Sequence, residues 1–156
     1  MLQQMNIAYS PAQDRLLFKI NQNNEAEYRV WMTRRFTMFL LKVLRDQMDD
    51  SGGSQKLATS EDTVKQLKSG AFEKEYQNKI PQELPLGEDG ILAYRINLKK
   101  MDNGVITLQL LPEDGKGVNF NLEKTMVYML YNLLEQAINN TNWNLEAGPV
   151  AANLLH

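Results

Sequence analysis

Two stretches of the chain, YRVWMTRRFTMFLLKVL (28–44) and VNFNLEKTMVYMLYNLL (118–134), lie one over the other with their apolar residues in the same phase. Each opens with alternation at period two, as in a strand with one buried face. Each then changes to apolar residues three and four apart, as in a helix with one buried stripe. A chain that writes strand-then-helix twice must bury two sheet faces and two helical stripes together, which points to an α+β domain. A degenerate internal repeat and convergent patterning both account for the match.

The flanking residues extend each unit. DRLLFKI (14–20) and EYRVWM (27–32) alternate on either side of the polar turn NQNNEA and read as a hairpin. From Arg34 to about Met48, the residues Phe36, Phe39, Leu40, Val43, Leu44 and Met48 form one stripe, with Thr33 as the expected N-cap. In the second half, ILAYRINLKKM (91–101) and VITLQLL (105–111) flank Asn103-Gly104, a tight-turn pair, and EDGKG leads into VNFNL. A helix over roughly 123–138 follows, with Met126, Met129, Leu130, Leu133, Leu134, Ala137 and Ile138 as its stripe and Asn121 as its expected cap. The expectation is an antiparallel sheet of about five strands backed by two amphipathic helices. They form a single domain over 1–156, with halves at 14–48 and 91–140. Between the halves, DDSGGSQKLATSED (49–62) reads as a mobile linker, and TVKQLKSGAFEKEYQNKI (63–80) as a weaker middle helix in which Gly70 costs about 1 kcal/mol relative to alanine.

The stretch EYRVWMTRRF ahead of an apolar helix, with LLP and a second apolar helix later, resembles a set of small uncharacterised bacterial proteins. The likeness covers the two strand–helix junctions and implies neither a function nor site residues.

The inventory of reactive side chains narrows the chemistry. There is no cysteine, and the one histidine is His156, so disulfides, Ser-His and Cys-His nucleophile pairs and zinc sites built on these residues lack their parts. DDSGGSQKLATSED lacks the ligand spacing of a calcium loop, and neither G-x-G-x-x-G nor G-x-x-x-x-G-K-[ST] occurs. The expectation is therefore a non-enzymatic protein with no catalytic residue, no metal ligand and no cofactor. An enzyme using carboxylates, tyrosines or an unseen cofactor would need a deep pocket. No apolar run approaches the roughly 20 residues of a membrane span, and the first residues lack a basic-then-apolar leader, so a cytoplasmic protein without a membrane partner is expected. A formal net charge of -2 argues against a strongly basic nucleic-acid tail but leaves room for a basic face.

Two such loci stand out. Arg34 and Arg35 follow the cap Thr33 in the first helical turn, where free N–H groups already favour anions, so Thr33, Arg34 and Arg35 form a candidate site for a phosphate or a carboxylate. Pairing with Asp14, Glu25 or Glu27 from the neighbouring hairpin is the commoner fate of arginines beside carboxylates. Strand parity supplies the second locus. Leu16, Phe18, Ile20, Tyr28, Val30, Met32, Leu92, Tyr94, Ile96, Leu98, Ile106, Leu108 and Leu110 share the core face. The other face takes Arg15, Lys19, Arg29, Arg95 and Lys99 with Trp31, Leu17, Asn97, Thr107 and Gln109, and only Glu27 among acids.

A basic sheet face with an exposed aromatic is one way to hold single strands, and repeated sheet-then-helix units also occur in binders of the whirly type, an analogy of architecture alone. The alternative is that cationic stems cover a solvated sheet or that the middle helix crosses it. Met38, Leu41, Val127, Tyr128 and Tyr131 broaden the apolar arcs of the helices, for packing on one another or for a homodimer contact. The sequence thus points to a binding or adaptor module for an unknown protein or anionic ligand. Binding of single-stranded DNA or RNA is the alternative.

Overall fold

The computed structural model describes residues 2–22, 26–50 and 83–143. β1 (Leu2–Ser10), β2 (Arg15–Gln22) and β3 (Ala26–Met32) form an antiparallel meander, and α1 (Arg34–Asp50) follows at once. β4 (Ile91–Leu92) joins β3 in parallel to complete a sheet of order β1-β2-β3-β4. β5 (Arg95–Lys100), β6 (Ile106–Leu111) and β7 (Val118–Leu122) form a second antiparallel sheet, and α2 (Lys124–Asn139) follows it. The α+β class and the strands-then-helix unit written twice are therefore both present. The middle helix expected over 63–80, and all but the start of the linker expected over 49–62, lie outside the described residues. Asp49 and Asp50 close α1.

The strand count differs from the five expected for two reasons. LQQMNIAYS carries only Met5, Ile7 and Tyr9 on its inner side, too sparse an alternation among polar residues to stand out, yet it pairs with the whole of β2. ILAYRINLKKM is two strands rather than one. Ala93 donates its N–H to Trp31 O at 2.9 Å in the first sheet, and Tyr94 donates its N–H to Leu111 O at 2.7 Å in the second, so the chain changes sheets between adjacent residues. That step breaks the alternation. Ala93 takes the buried place, and Leu92 and Tyr94, expected in the core, are 42% and 64% exposed.

The repeat is preserved in register. The pairs Leu16–Met32, Phe18–Val30 and Ile20–Tyr28 correspond to Ile106–Leu122, Leu108–Phe120 and Leu110–Val118, each residue displaced by 90 positions. The helices also start 90 apart, at Arg34 and Lys124. Only the outer strand slips: Met5 pairs with Ile20 and Ile96 with Leu110, a displacement of 91 for the first member of each pair. The first unit therefore holds one residue more in its β1–β2 turn.

The inward faces meet in one core. The rings of Phe18 and Phe120 stand edge to face with centroids 6.0 Å apart. Each fully buried side chain in this cluster contributes about 1.5–3 kcal/mol relative to exposure. On α1 the buried arc runs through Phe36, Thr37, Leu40, Leu41, Leu44 and Met48. Because α1 also packs on α2, the arc turns toward Thr37 and Leu41. Phe39, expected in the stripe, lies about 60° beyond Phe36 on the other side and is 48% exposed. α2 is buried on more sides, with Val127, Tyr128, Met129 and Leu130 all inside, since it meets β1, β7 and α1. The broad apolar arcs are thus largely used within the fold, leaving Met38 and Phe39 outside.

Candidate functional site

The helix start forms as its sequence dictates. Thr33 Oγ1 accepts the N–H of Phe36 at 3.2 Å, the bond of an N-cap, and the Thr37 hydroxyl donates to Thr33 O at 2.8 Å. The second helix is not capped by Asn121, which lies within β7 and accepts from the Thr107 hydroxyl at 2.8 Å. Glu123 stands at the cap position and makes no side-chain cap bond.

Arg34 and Arg35 part company. Arg34 reaches Asp14 at 3.4 Å, and its guanidinium lies 6.0 Å from the centre of the Trp143 ring. Asp14 is the focus of a small network: its carboxylate also accepts the Trp143 indole N–H at 2.6 Å and the Tyr9 hydroxyl at 2.7 Å. The rings of Tyr9 and Trp143 meet edge to face at 5.9 Å. The indole N–H, the Tyr9 hydroxyl and Arg34 hold the Asp14 carboxyl below the usual carboxylate range, and the bond to Asp14 with some burial pushes the Tyr9 phenol up. Arg34 therefore pairs with Asp14. Glu27 pairs instead with Arg29, and Glu25 lies outside the described residues. Arg35 is exposed, its guanidinium 5.9 Å from the Phe39 ring, so the two arginines of the helix start make different contacts.

The cations expected on one sheet face are divided between two. Arg15, Lys19 and Arg29 lie on the outward side of the first sheet, and Arg95 and Lys99 on that of the second. On the first, Lys19 and Arg29 are directly opposed, and in the next row Ala8, Leu17, Trp31 and Leu92 are cross-strand partners from β1 to β4. An apolar row with one aromatic ring thus runs across the outward face beside a row of two cations.

The loop ahead of β4 fixes the row in place. Trp31 donates its indole N–H to Asp89 O at 2.9 Å, and Arg29 donates from Nη1 to Glu88 O at 2.7 Å and from Nε to Glu27 at 2.7 Å. Gly90, at φ +72°, packs so closely on Arg29 O that a Cβ there would stand 2.3 Å from it. On the second sheet, Arg95, Asn97 and Lys99 share the outward side with Thr107, Gln109, Asn119 and Asn121. The Asn97 amide donates to Gln109 at 2.8 Å, and β5 to β7 carry no acid.

One feature had no sequence signal. A pocket of about 130 Å³ opens between the end of α1, the β5–β6 turn and the start of α2, because it depends on two elements from different halves meeting. Burial, with a smaller contribution from Asp49, pushes up the phenol of Tyr128 in its wall. Among the described residues, no three Asp, Glu, His or Cys side chains come together as a metal cluster, and no helix is long and apolar enough to cross a membrane. The chain matches no protein-family model, no curated protein and no solved structure.

Proposed function

We propose that the protein is a non-enzymatic binding module that holds a single strand of DNA or RNA on the outward face of its first sheet. The observation that carries this reading is the adjacency of two cross-strand rows: Lys19 with Arg29, and Leu17 with Trp31 and Leu92. Phosphates follow cations and bases stack on aromatic and apolar side chains, and a four-stranded sheet of this kind offers room for about two or three bases. The loop bonds to Arg29 and Trp31 support the reading by presenting both groups already ordered, which lowers the entropy lost on binding. Arg29 is bonded to Glu27 as Arg34 is to Asp14, so what favours the sheet face over Thr33, Arg34 and Arg35 is the row of Leu17, Trp31 and Leu92 beside its cations.

The test is fluorescence anisotropy with a labelled mixed-sequence single strand across a salt series. Lys19→Gln weakens the complex and makes the log-log salt slope shallower by about 0.7, the share of one single-strand phosphate contact. Trp31→Ala costs about 1–3 kcal/mol with the slope unchanged, because no cation is lost. Absence of binding at low salt, or equal affinity for duplex, sinks the reading.

A further inference from the structure

The corner where the chain passes from the first sheet to the second adds a row to the outward face. Across β2, β3 and β4 the outward side chains stand in register: Lys19 with Arg29, then Leu17 with Trp31 and Leu92. One step further along the same strands come Arg15, the first residue of β2, and Tyr94, two residues past Leu92. Both stand level with Thr33, just beyond the end of β3. Arg15 shares the parity of Leu17 and Lys19 and so lies on their side of the sheet. For Tyr94 the burial gives the side: Leu92 is 42% exposed, Ala93 5% and Tyr94 64%. That alternation keeps Tyr94 on the side of Leu92, although its N–H already bonds to Leu111 O in the second sheet. Two residues of extended chain carry it about 7 Å beyond Leu92. An aromatic ring so exposed adds little to the core.

We infer that Tyr94 and Arg15 complete the sheet-face site, Tyr94 as the platform for the base next to the one on Trp31, and Arg15 as a phosphate contact beside it. The inference rests on the single-strand reading of that face and says how the strand lies on it. Charge sets the direction. Glu27, Glu88 and Asp89 stand at the Arg29 end, where Glu27 bonds to Arg29 and the loop carbonyls of Glu88 and Asp89 accept from Arg29 and Trp31. Carboxylates there repel a phosphate chain. At the other end Asp14, the neighbour of Arg15 in sequence, gives its carboxylate to Tyr9, Trp143 and Arg34. The strand therefore runs from the Trp31 row toward Arg15 and Tyr94 rather than toward the loop. A second ring lengthens the footprint without adding sequence preference, because every base has a face to stack.

The experiment is fluorescence anisotropy of the intact chain with a labelled mixed-sequence single strand, comparing Tyr94→Ala, Tyr94→Phe, Arg15→Gln and Trp31→Ala across a salt series. Tyr94→Ala should weaken binding about 5- to 150-fold, the loss of one stacked base, with the salt slope unchanged. Tyr94→Phe keeps the ring and should stay within about twofold of the parent protein. Arg15→Gln should weaken the complex and make the log-log slope shallower by about 0.7. Circular dichroism should show each variant folded as the parent is. Parent-like affinity in both Tyr94→Ala and Arg15→Gln, with Trp31→Ala weakened, overturns the inference and leaves the sheet-face reading standing. Equal losses in Tyr94→Ala and Tyr94→Phe overturn it as well, since a stacking ring would not be what was lost. Absence of binding by the parent protein removes both.

Discussion

Trp143 donates its indole N–H to the Asp14 carboxylate over 2.6 Å, joining residues 129 positions apart and closing the first unit with the end of the second. The indole is 1% exposed, so Trp143→Ala should cost about 3–5 kcal/mol in urea unfolding. Trp143→Phe keeps most of the packing and loses the bond to Asp14, so its cost should fall well below that of alanine. Equal costs for the two would show that the hydrogen bond, not the ring, dominates.

The same network sets a pH dependence on both flanks. The folded protein lowers the Asp14 pKa from 3.8, so the stability tied to its ionised form is present above that value and is lost as pH falls through the depressed folded value. The Tyr9 pKa is raised from 10.0, so its contribution is full below that value and is lost as pH climbs through the raised one. Asp14→Asn should flatten the acid flank and shrink the alkaline one, because the charge that holds the Tyr9 proton is gone. Proton-linked unfolding measured across both ranges checks this, and an alkaline flank that stays the same in Asp14→Asn contradicts it.

How much was legible follows from what each signal depends on. The inward alternation of Leu16, Phe18 and Ile20, the cap at Thr33 and the alignment of the two strand–helix stretches follow from alternation and spacing, and they stand in the structure as the sequence writes them. Leu92 and Tyr94 were misplaced because alternation cannot register a chain that leaves one sheet for another between residues 93 and 94. Phe39 was misplaced because a helical stripe has no marker for the side from which a second helix approaches. Parity puts Trp31, Arg29 and Lys19 on the outward side of the first sheet, and the strand register does the same. The loop carbonyls that hold two of them, from Glu88 and Asp89, come from 58 or more residues away and leave no local trace.

Two glycines with left-handed backbones should respond differently to alanine. Both substitutions incur the cost of positive φ, about 1 kcal/mol. Gly104 has nothing within 4 Å of the added Cβ, whereas at Gly90 the Cβ would stand 2.3 Å from Arg29 O. Gly90→Ala should therefore destabilise by clearly more, and should release the bonds from Arg29 and Trp31 to the loop. Thermal unfolding with Trp31 side-chain NMR resolves both effects, and equal losses for the two variants would count against the close packing at Gly90.

Lys19 faces Arg29 directly across β2 and β3, a like-charge pair that lowers the stability of a sheet. Arg29 is already bonded to Glu27, so part of that repulsion is offset. Lys19→Glu should consequently raise stability, by about 0.2–1 kcal/mol at low salt, with the gain shrinking as salt screens the pair. The same substitution should remove single-strand binding, because it places an acid in the row that meets phosphates. A variant more stable yet unable to bind is the signature of charges kept for a ligand. Were Lys19→Glu both less stable and equally able to bind, Lys19 would be a structural residue and the outward face of the first sheet would lose its claim to the strand.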